Sequence, residues 1–539
     1  MTRPTRLGSA TFVFKLATIL LAIAARATGA DAFDAAALSR GLMSIQRDDL
    51  QRHVLVLADD TYEGREAGSR GGRAAGGYLH SKFQELKLTP AGTRGSYYQS
   101  FGNGNRNILG LIEGSDPALK DEIILIGAHY DHVGYGTLQN SFGPTGRIHN
   151  GADDNASGTS ALVEVAEAFI AMGTPPRRTL LFALWDGEEK GLLGSKHWLA
   201  SPTIPLSRVK LAVNLDMVGR LRGKLEVLGS RTSYDLRRAV SLANRDIGLK
   251  LDFTWELKED SDHWPFYERG TPILMFHTGL HDQYHRPSDD VEHIEFDGMR
   301  QIAELLYRTL NDIASEEQVA GFRSLARRES AYDRRQLERP LAAMPPRLGT
   351  RLRVDPASGE VSITSVEPNS AASRAGVLAG DRLVRIGGAD VTDLATLRKR
   401  IWAATSPLVL EVQRGDGEEP ILLSVTLDGA PVRVGLTWRG DDATPGAVIL
   451  SRVIAGTAAA EAGLHPNDRV YEVNGQPFHG QDQFLELLKS GGDSLQLVYE
   501  RQGVIGTATL SLLPEVAAPP VTARASSGGA VSLSGLSRD

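Results

Sequence analysis

Side chains that could bind a metal or transfer a proton follow four apolar runs in the first half of the chain. They are His129 and Asp131 after residues 123–128, Glu188 and Glu189 after residues 180–185, Asp216 after residues 211–215, and Tyr284 and His285 after residues 273–276. In open α/β sheets, functional sites form where the carboxyl ends of the strands meet. The chain has no cysteine, so a metal here would be held by histidine, aspartate and glutamate.

A glycine-rich segment at residues 150–158 adds two adjacent carboxylates, Asp153 and Asp154. Each feature taken alone has an ordinary explanation. A histidine after a strand can be a polar loop residue, a Glu-Glu pair can be a solvated face, and two aspartates can stabilise a helix N-terminus. The combination, in one region of the chain, favours a single functional site.

The elements that must position these residues alternate between strand and helix. Apolar runs predict strands at residues 122–128, 179–185, 209–215 and 271–276, and helical spacing predicts a helix at 157–172 with Asn155 or Ser157 as its N-cap. This alternation predicts an α/β domain over residues 33–315, with a mostly parallel central sheet flanked by helices.

The N-terminal residues 1–32 have the features of an export signal. An apolar run covers residues 16–25, and Ala30 and Ala32 form a small-residue cleavage site. A membrane anchor is the alternative, but the run is too short to span a bilayer. We therefore expect a periplasmic or secreted protein with no integral membrane segment after cleavage.

Composition narrows the choice of function. The chain has 539 residues, 41% of them hydrophobic and 23% charged, which is typical of a soluble protein with two to four domains. Its net charge of −7 argues against nucleic acid as a partner, because phosphate neutralisation requires a basic excess. The lack of cysteine excludes disulfides and thiolate nucleophiles within this sequence.

The C-terminal part contains an internal repeat. Residues 366–383 are similar to residues 453–470, about ninety positions later, and each copy ends in an Asp-Arg pair followed by an apolar residue. We expect two small β-rich domains at 347–430 and 431–514, preceded by a charged helix and linker at 316–346. Residues 515–539 are rich in Ala, Ser and Gly and are predicted to be disordered.

The motifs of the first domain resemble a known family. They are, in order, His129-x-Asp131, residues 151–158, Glu188-Glu189, Asn214-x-Asp216-Met217 and Tyr284-His285. This series resembles the secreted bacterial di-zinc aminopeptidases, whose relatives include glutamate carboxypeptidase and glutaminyl cyclase. Residues 63–68 also resemble an early segment of that family. The resemblance implies a zinc-exopeptidase-like fold and two Zn²⁺ ions.

The resemblance also implies a role for each residue. Asp154 would bridge the two ions, with Asp153 as the alternative bridge. His129 and Asp216 would bind one ion, and Glu189 and His285 the other. The catalytic residues would be Glu188 as general base for a water between the ions, Asp131 as the carboxylate that orients His129, and Tyr284 as a hydrogen-bond donor to the developing oxyanion.

Other polar residues of this domain receive smaller roles. We interpret residues 261–263 (Ser-Asp-His) as structural support for the site, and residues 133–150 as a loop that shapes the substrate mouth. His149 in that loop stays open as a further ligand. Four more histidines are interpreted as ordinary polar or packing residues: His197, His277, His281 and His293.

The repeated domains resemble the PDZ domains attached to exported bacterial proteases. Residues 348–350 (Leu-Gly-Thr) and 434–436 (Val-Gly-Leu) would be the carboxylate-binding loops, each opening a strand. Their N–H groups could bind the C-terminus of a peptide, which then adds a strand to the sheet edge. The alternative is that both copies act as spacers or dimer contacts.

The preferred function is a zinc-dependent aminopeptidase acting on peptides. A related carboxypeptidase or dipeptidase is the enzymatic alternative. A glutaminyl cyclase fits less well, because that branch uses one zinc ion. A non-catalytic PDZ scaffold is the alternative from another class, but such a relative would have lost a ligand or the base, and none is missing here.

Overall fold

The computed structural model describes residues 35–415, 417 and 419–513. The predicted signal at 1–32 and the predicted tail at 515–539 lie outside the described residues. The chain divides into two compact units. The first unit comprises the described residues up to Ser233 together with Leu242–Arg327, and the second comprises Tyr234–Ser241 and the residues from Arg328 onwards.

Nine strands in the described part of the first unit form one sheet. They are β1 Thr89–Pro90, β2 Tyr98–Phe101, β3 Asn105–Ile112, β4 Ile123–His129, β5 Thr179–Trp185, β6 Val209–Leu215, β7 Leu225–Leu228, β8 Leu251–Phe253 and β9 Ile273–His277. Their order is β1-β3-β5-β4-β6-β9-β7-β8, with β2 paired to β3. The central strands β5, β4, β6 and β9 are mutually parallel. Strands β1, β2 and β3 are added in antiparallel fashion at one side, and β7 pairs antiparallel with β9 at the other.

Three helices of the described chain precede the first strand, and the others lie between later strands. Residues 35–44 are helical. The later helices are α1 Arg47–Leu57, α2 Arg70–Glu85, α3 Gly158–Met172, α4 Leu193–Ala200, α5 Leu236–Ala243, α6 Trp264–Glu268, α7 Phe296–Ser315, α8 Ala331–Leu337, α9 Ala371–Arg374, α10 Leu394–Ala403, α11 Ala458–Glu461 and α12 Gly480–Ser490.

Burial explains why the central strands are apolar along their whole length. Every residue of β4 and β5 is buried, as expected for parallel strands covered on both faces. Trp185 at the end of β5 packs with Trp198 of α4 and Phe266 of α6. Helix α3 packs along β4 and β6 and contacts α7 through Phe169. The predicted α/β fold class is therefore confirmed.

The second unit contains two sheets of the same strand order. The first comprises β10 Thr350–Val354, β11 Val361–Val366, β12 Arg382–Ile386, β13 Ala389–Asp390, β14 Leu408–Gln413 and β15 Ile421–Val425. The second comprises β16 Leu436–Gly440, β17 Val448–Val453, β18 Arg469–Val473, β19 Gln476–Pro477, β20 Ser494–Arg501 and β21 Val504–Ser511. The orders are β10-β11-β12-β14-β15 and β16-β17-β18-β20-β21. The repeat thus encodes two copies of one β-rich fold.

The repeated aspartate has the same structural role in both copies. Asp381 is buried, and its two carboxylate oxygens each accept a hydrogen bond of 2.8 Å from Arg414. Asp468 accepts the equivalent bonds from Arg501 at 2.6 and 2.7 Å. Each aspartate also accepts a main-chain N–H three residues before it, which closes the turn that leads into the following strand. The repeated aspartate is therefore explained by folding.

Within the described ranges, no helix combines the length and the apolar character needed to cross a bilayer.

Candidate active site

The carboxyl ends of four neighbouring strands bring the predicted residues together. His129 is the last residue of β4, and Asp216 directly follows β6. Glu188 and Glu189 lie in a single 3₁₀ turn, Glu188–Lys190, that follows β5. His285 lies in the loop after β9. The adjacency of these strands in the sheet converts residues far apart in sequence into one cluster.

Two groups of side chains in the described chain have the composition and spacing of metal sites. One contains His129, Glu188 and Asp216, and the other contains His132, Asp154, Glu189 and His285. Within each group the candidate ligand atoms all lie within 4.8 Å of one another. Imidazole nitrogens and carboxylate oxygens are ligands that zinc accepts, so both donor sets fit this ion.

The first group is centred on the Nε2 atom of His129. This atom lies 3.4 Å from Oδ1 of Asp216 and 3.4 Å from Oδ1 of Asp154. The Oγ of Ser261 donates a hydrogen bond of 2.6 Å to the other oxygen of Asp216. The side-chain amide of Asn214 donates in turn to the Oγ of Ser261 at 2.7 Å. Ser261 therefore orients a candidate ligand, in agreement with the supporting role expected for residues 261–263.

The second group is centred on His285. Its Nε2 lies 3.1 Å from Oδ2 of Asp154 and 3.2 Å from Oε2 of Glu189. His132 belongs to this group, because its Nδ1 lies 2.8 Å from Oε1 of Glu189. The motifs of the sequence predict no role for His132. The signal that could have identified it is its position three residues after His129, in the loop that follows the same strand end.

Asp154 faces both groups, and Asp153 does not. The Oδ1 of Asp154 points to His129 and its Oδ2 to His285, as the distances above show. Asp153 instead accepts hydrogen bonds from Ser157 and from the N–H of Gly219. Of the two candidates for the bridge, the geometry favours Asp154.

Asp131 contacts His129 in a different way from the one expected. The Nδ1 of His129 donates to the main-chain oxygen of Asp131 at 3.1 Å, whereas the nearest carboxylate oxygen is 3.9 Å away. That carboxylate accepts the main-chain N–H groups of Glu188 at 3.0 Å and Glu189 at 3.4 Å. Asp131 thus holds His129 through its backbone and the Glu-Glu turn through its side chain.

The buried carboxylates perturb one another's protonation. Burial raises the pKa of Glu188 well above its usual range, and the nearby Glu189 carboxylate raises it further. Burial also raises the pKa of Asp262 to about 6. Burial alone would lower the pKa of His129, but the charges of Glu188 and Asp216 hold it well above the ordinary value. Such a concentration of negative charge is costly to bury unless cations offset it, which supports a metal site.

Tyr284 lies beside the second group. Its ring stacks on that of His285, with centroids 4.0 Å apart. Burial raises the pKa of the phenol, and the carboxylates of the site raise it further, so the hydroxyl keeps its proton. Phe142 in the loop at 133–150 also stacks on His285, at 5.8 Å, and the loop accordingly borders the site.

Two further buried side chains hold the segment that carries Asp154. The guanidinium of Arg65 donates to four main-chain oxygens, including those of Asn150 at 2.5 Å and Gly151 at 2.9 Å. Asp289 accepts the N–H groups of Asp153 at 3.1 Å and Asp154 at 3.0 Å. The motifs of the sequence predict no role for either side chain, because hydrogen bonds to main-chain groups leave no pattern in side-chain spacing.

The other histidines lie outside both groups. His149 is buried, but its nitrogens contact the Oγ of Ser141 at 2.7 Å and the main-chain oxygen of Arg147 at 2.8 Å. His281 lies 3.2 Å from Asp153, and His197 stacks on Phe101. These contacts agree with the packing and polar roles expected for His197 and His281, and they give His149 a structural partner.

Comparison with known sequences gives the site a family. Residues 107–310 match Peptidase family M28, and residues 362–414 and 449–501 match the PDZ domain. The matched M28 segment contains all the candidate ligands of both groups. These segments are similar to that family and to that domain, so the resemblances inferred from the motifs are confirmed.

The similar proteins include several aminopeptidases. Aminopeptidase YwaD of Bacillus subtilis (strain 168) is 30% identical over 223 residues, which cover 40% of this chain and 46% of that protein. Leupeptin-inactivating enzyme 1 of Streptomyces exfoliatus is 27% identical, over 42% of this chain and 48% of that protein. Leucine aminopeptidase 1 of Arthroderma gypseum is 26% identical over 52% of this chain and 77% of that protein. The chain thus spans about half the length of the first two relatives.

Solved structures also match. The zinc aminopeptidase BSAP from Bacillus subtilis is 19% identical with a TM-score of 0.42, and the match covers 52% of this chain and 98% of that one. The LapA aminopeptidase of Legionella pneumophila is 22% identical with a TM-score of 0.44, over 52% of this chain and 75% of that one.

Proposed function

We propose that this protein is a zinc-dependent aminopeptidase that holds two zinc ions and hydrolyses the N-terminal bond of peptides. The observation that carries the proposal is the position of Asp154, whose two oxygens face two separate groups of imidazole and carboxylate donors. A shared carboxylate of this kind can hold two ions about 3.5–4 Å apart. The match of residues 107–310 to peptidase family M28 and the similarity to aminopeptidases support the reaction class.

In this proposal, His129 and Asp216 would hold one ion, Glu189 and His285 would hold the other, and Asp154 would be shared between them. Zinc, when bound, would polarise the scissile carbonyl and lower the pKa of water. Ser261 fixes the orientation of Asp216, and the backbone of Asp131 fixes the ring of His129. These contacts keep the donors in place before zinc binds.

Glu188 is the proposed general base. Its main-chain N–H donates to Asp131, and its carboxylate lies within 4.8 Å of the donor atoms of His129 and Asp216. In this proposal His129, Asp216 and Asp154 would hold the first ion, which leaves the Glu188 carboxylate free to accept a proton. Burial raises its pKa, which makes it a stronger base than an exposed carboxylate. Glu188 would take a proton from the attacking water and return it to the departing amine. Tyr284, which keeps its proton, would donate a hydrogen bond to the oxygen that becomes negatively charged.

The PDZ domains and the N-terminal residues suggest how the enzyme is used. The loops at 348–350 and 434–436 precede β10 and β16, which are edge strands of their sheets. An edge strand has free N–H and C=O groups that a peptide can pair with. We therefore propose that the PDZ domains bind the C-termini of peptides. We also propose, from the features of residues 1–32, that the protein is exported to the periplasm or the medium.

The test is release of the chromogenic amine from a panel of aminoacyl-nitroanilides, with N-acetylated versions alongside. We expect hydrolysis of the free-amine substrates alone, lost on chelation and restored by zinc. Hydrolysis of peptides from the carboxyl end, or of dipeptides only, would replace the proposal with the carboxypeptidase or dipeptidase alternative. No hydrolysis by folded, zinc-loaded protein would refute it in favour of a PDZ scaffold.

A further inference from the structure

His132 is a buried imidazole that the proposed mechanism does not use. It is fully buried, and its Nδ1 faces the space between Asp154 and Glu189. Its Nε2 has no hydrogen-bond partner within the described chain. The ring therefore makes its polar contacts through the Nδ1 edge alone, and that edge points at the second donor group.

The distances around His132 fit a shared ion. Zinc ligands at about 2.0–2.1 Å from the metal in tetrahedral geometry lie about 3.3 Å from one another. The Nδ1 of His132 lies 3.7 Å from Oδ2 of Asp154 and 2.8 Å from Oε1 of Glu189. The corresponding distances for Nε2 of His285 are 3.1 and 3.2 Å. The two imidazoles thus stand in comparable relation to the same carboxylates.

The backbone leaves space for this imidazole. Gly151 has a φ of +53°, and a Cβ atom added there would lie 2.1 Å from the main-chain oxygen of Asp154 and 2.5 Å from Cδ2 of His132. Any larger residue would therefore push the His132 ring out of its position. The rings of His132 and His285 are nearly perpendicular, at 82°, with centroids 5.5 Å apart. The glycine-rich segment thus makes room for His132 as well as carrying Asp154.

We propose that His132 binds the second ion directly through Nδ1, as a fourth protein ligand beside Asp154, Glu189 and His285. This inference rests on the proposed two-ion site. The two ions would then be held unequally, because the first has only His129 and Asp216 besides the shared Asp154. The second ion would bind more tightly and would be the last to leave on chelation.

The test compares zinc-loaded full-length protein with two variants. His132→Ser removes the proposed ligand, and His149→Ser removes another buried histidine of the same stretch that lies outside both groups. X-ray absorption at the zinc edge measures the imidazole content around the metal, and dialysis against graded chelator measures the affinity of the last ion. We expect both readouts to change in His132→Ser only, with a loss of affinity of more than about 100-fold, since outer partners of a ligand contribute about 10- to 100-fold.

An unchanged imidazole content in His132→Ser would overturn the inference, even if zinc affinity fell, because His132 would then act only by positioning Glu189. If that variant does not fold, the zinc-loaded wild-type crystal structure decides. A distance of about 2.0–2.3 Å from Nδ1 to zinc supports coordination, and one beyond about 3 Å refutes it. Peptide hydrolysis is measured separately. Coordination by His132 can therefore be observed in a protein that does not hydrolyse peptides, and a protein that hydrolyses peptides can lack this coordination.

Discussion

Substitution of Glu188 by Gln distinguishes between two roles of this side chain, general base and metal ligand. Glu188 lies close enough to His129 and Asp216 to be counted with them as a donor group. The amide of glutamine keeps the size and shape of the side chain but cannot accept the proton. If Glu188 is the base, Glu188→Gln should fold, bind both ions with wild-type affinity and lose turnover.

The expected size of the effect follows from the role. General-base catalysis contributes about 10²- to 10⁴-fold, which corresponds to about 3–5 kcal/mol in the activation free energy. Glu188 is only partly exposed to solvent, so bulk water cannot readily replace it. We therefore expect kcat to fall toward the upper end of this range with little change in KM, since Glu188 is not required to bind the substrate.

The assay is steady-state hydrolysis of the best aminoacyl-nitroanilide, with zinc content measured on the same samples. Glu189→Gln is the matched control, because it removes a proposed ligand at the neighbouring position of the same turn and should lose zinc together with activity. Wild-type turnover from Glu188→Gln would refute the assignment of the base. Loss of one zinc ion from Glu188→Gln would show that Glu188 is a ligand.

Three further predictions concern the supports of the fold and the site. Arg65→Met removes four hydrogen bonds to main-chain carbonyls. At about 1 kcal/mol for each bond, the free energy of unfolding of the first unit should fall by about 4 kcal/mol. Urea unfolding measures this, and an unchanged midpoint of the urea transition would contradict it. Ser261→Ala should weaken zinc binding at Asp216 by about 10- to 100-fold in a chelator titration, and equal affinities would rule out the orienting role. Burial raises the pKa of Asp381, but the hydrogen bond from Arg414 outweighs burial and lowers the pKa below its unfolded value of 3.8. The ion pair therefore stabilises the folded protein above pH 3.8, and this stabilisation is lost as the pH falls through the pKa of the folded state. Asp381→Asn should therefore cost about 1–2 kcal/mol at pH 7 and progressively less below about pH 4, and a cost independent of pH would argue against the ion pair.

Much of the fold could be predicted because its signals are local. Strands β5 and β6 were predicted with the same ends that the structure shows, since mostly apolar runs bounded by polar residues are typical of buried parallel strands. Helix α3 was predicted to within one residue, and the side chain of Asn155 does accept the N–H of Gly158 at its start. Strands β1, β2, β7 and β8 were missed because each has four residues or fewer, which is too short to show a periodic pattern.

The sequence alone determined which chemistry is available. Its histidines and carboxylates follow strand ends in the order of a peptidase family, and the absence of cysteine restricts the ligands to nitrogen and oxygen donors. Tertiary structure decided which side chain faces which. It turned Asp154 toward both donor groups and Asp153 away from them, and it brought His132 against Glu189. Side-chain direction depends on backbone angles and on the order of strands in the sheet, which are set by packing between distant segments and therefore cannot be read from spacing along the chain.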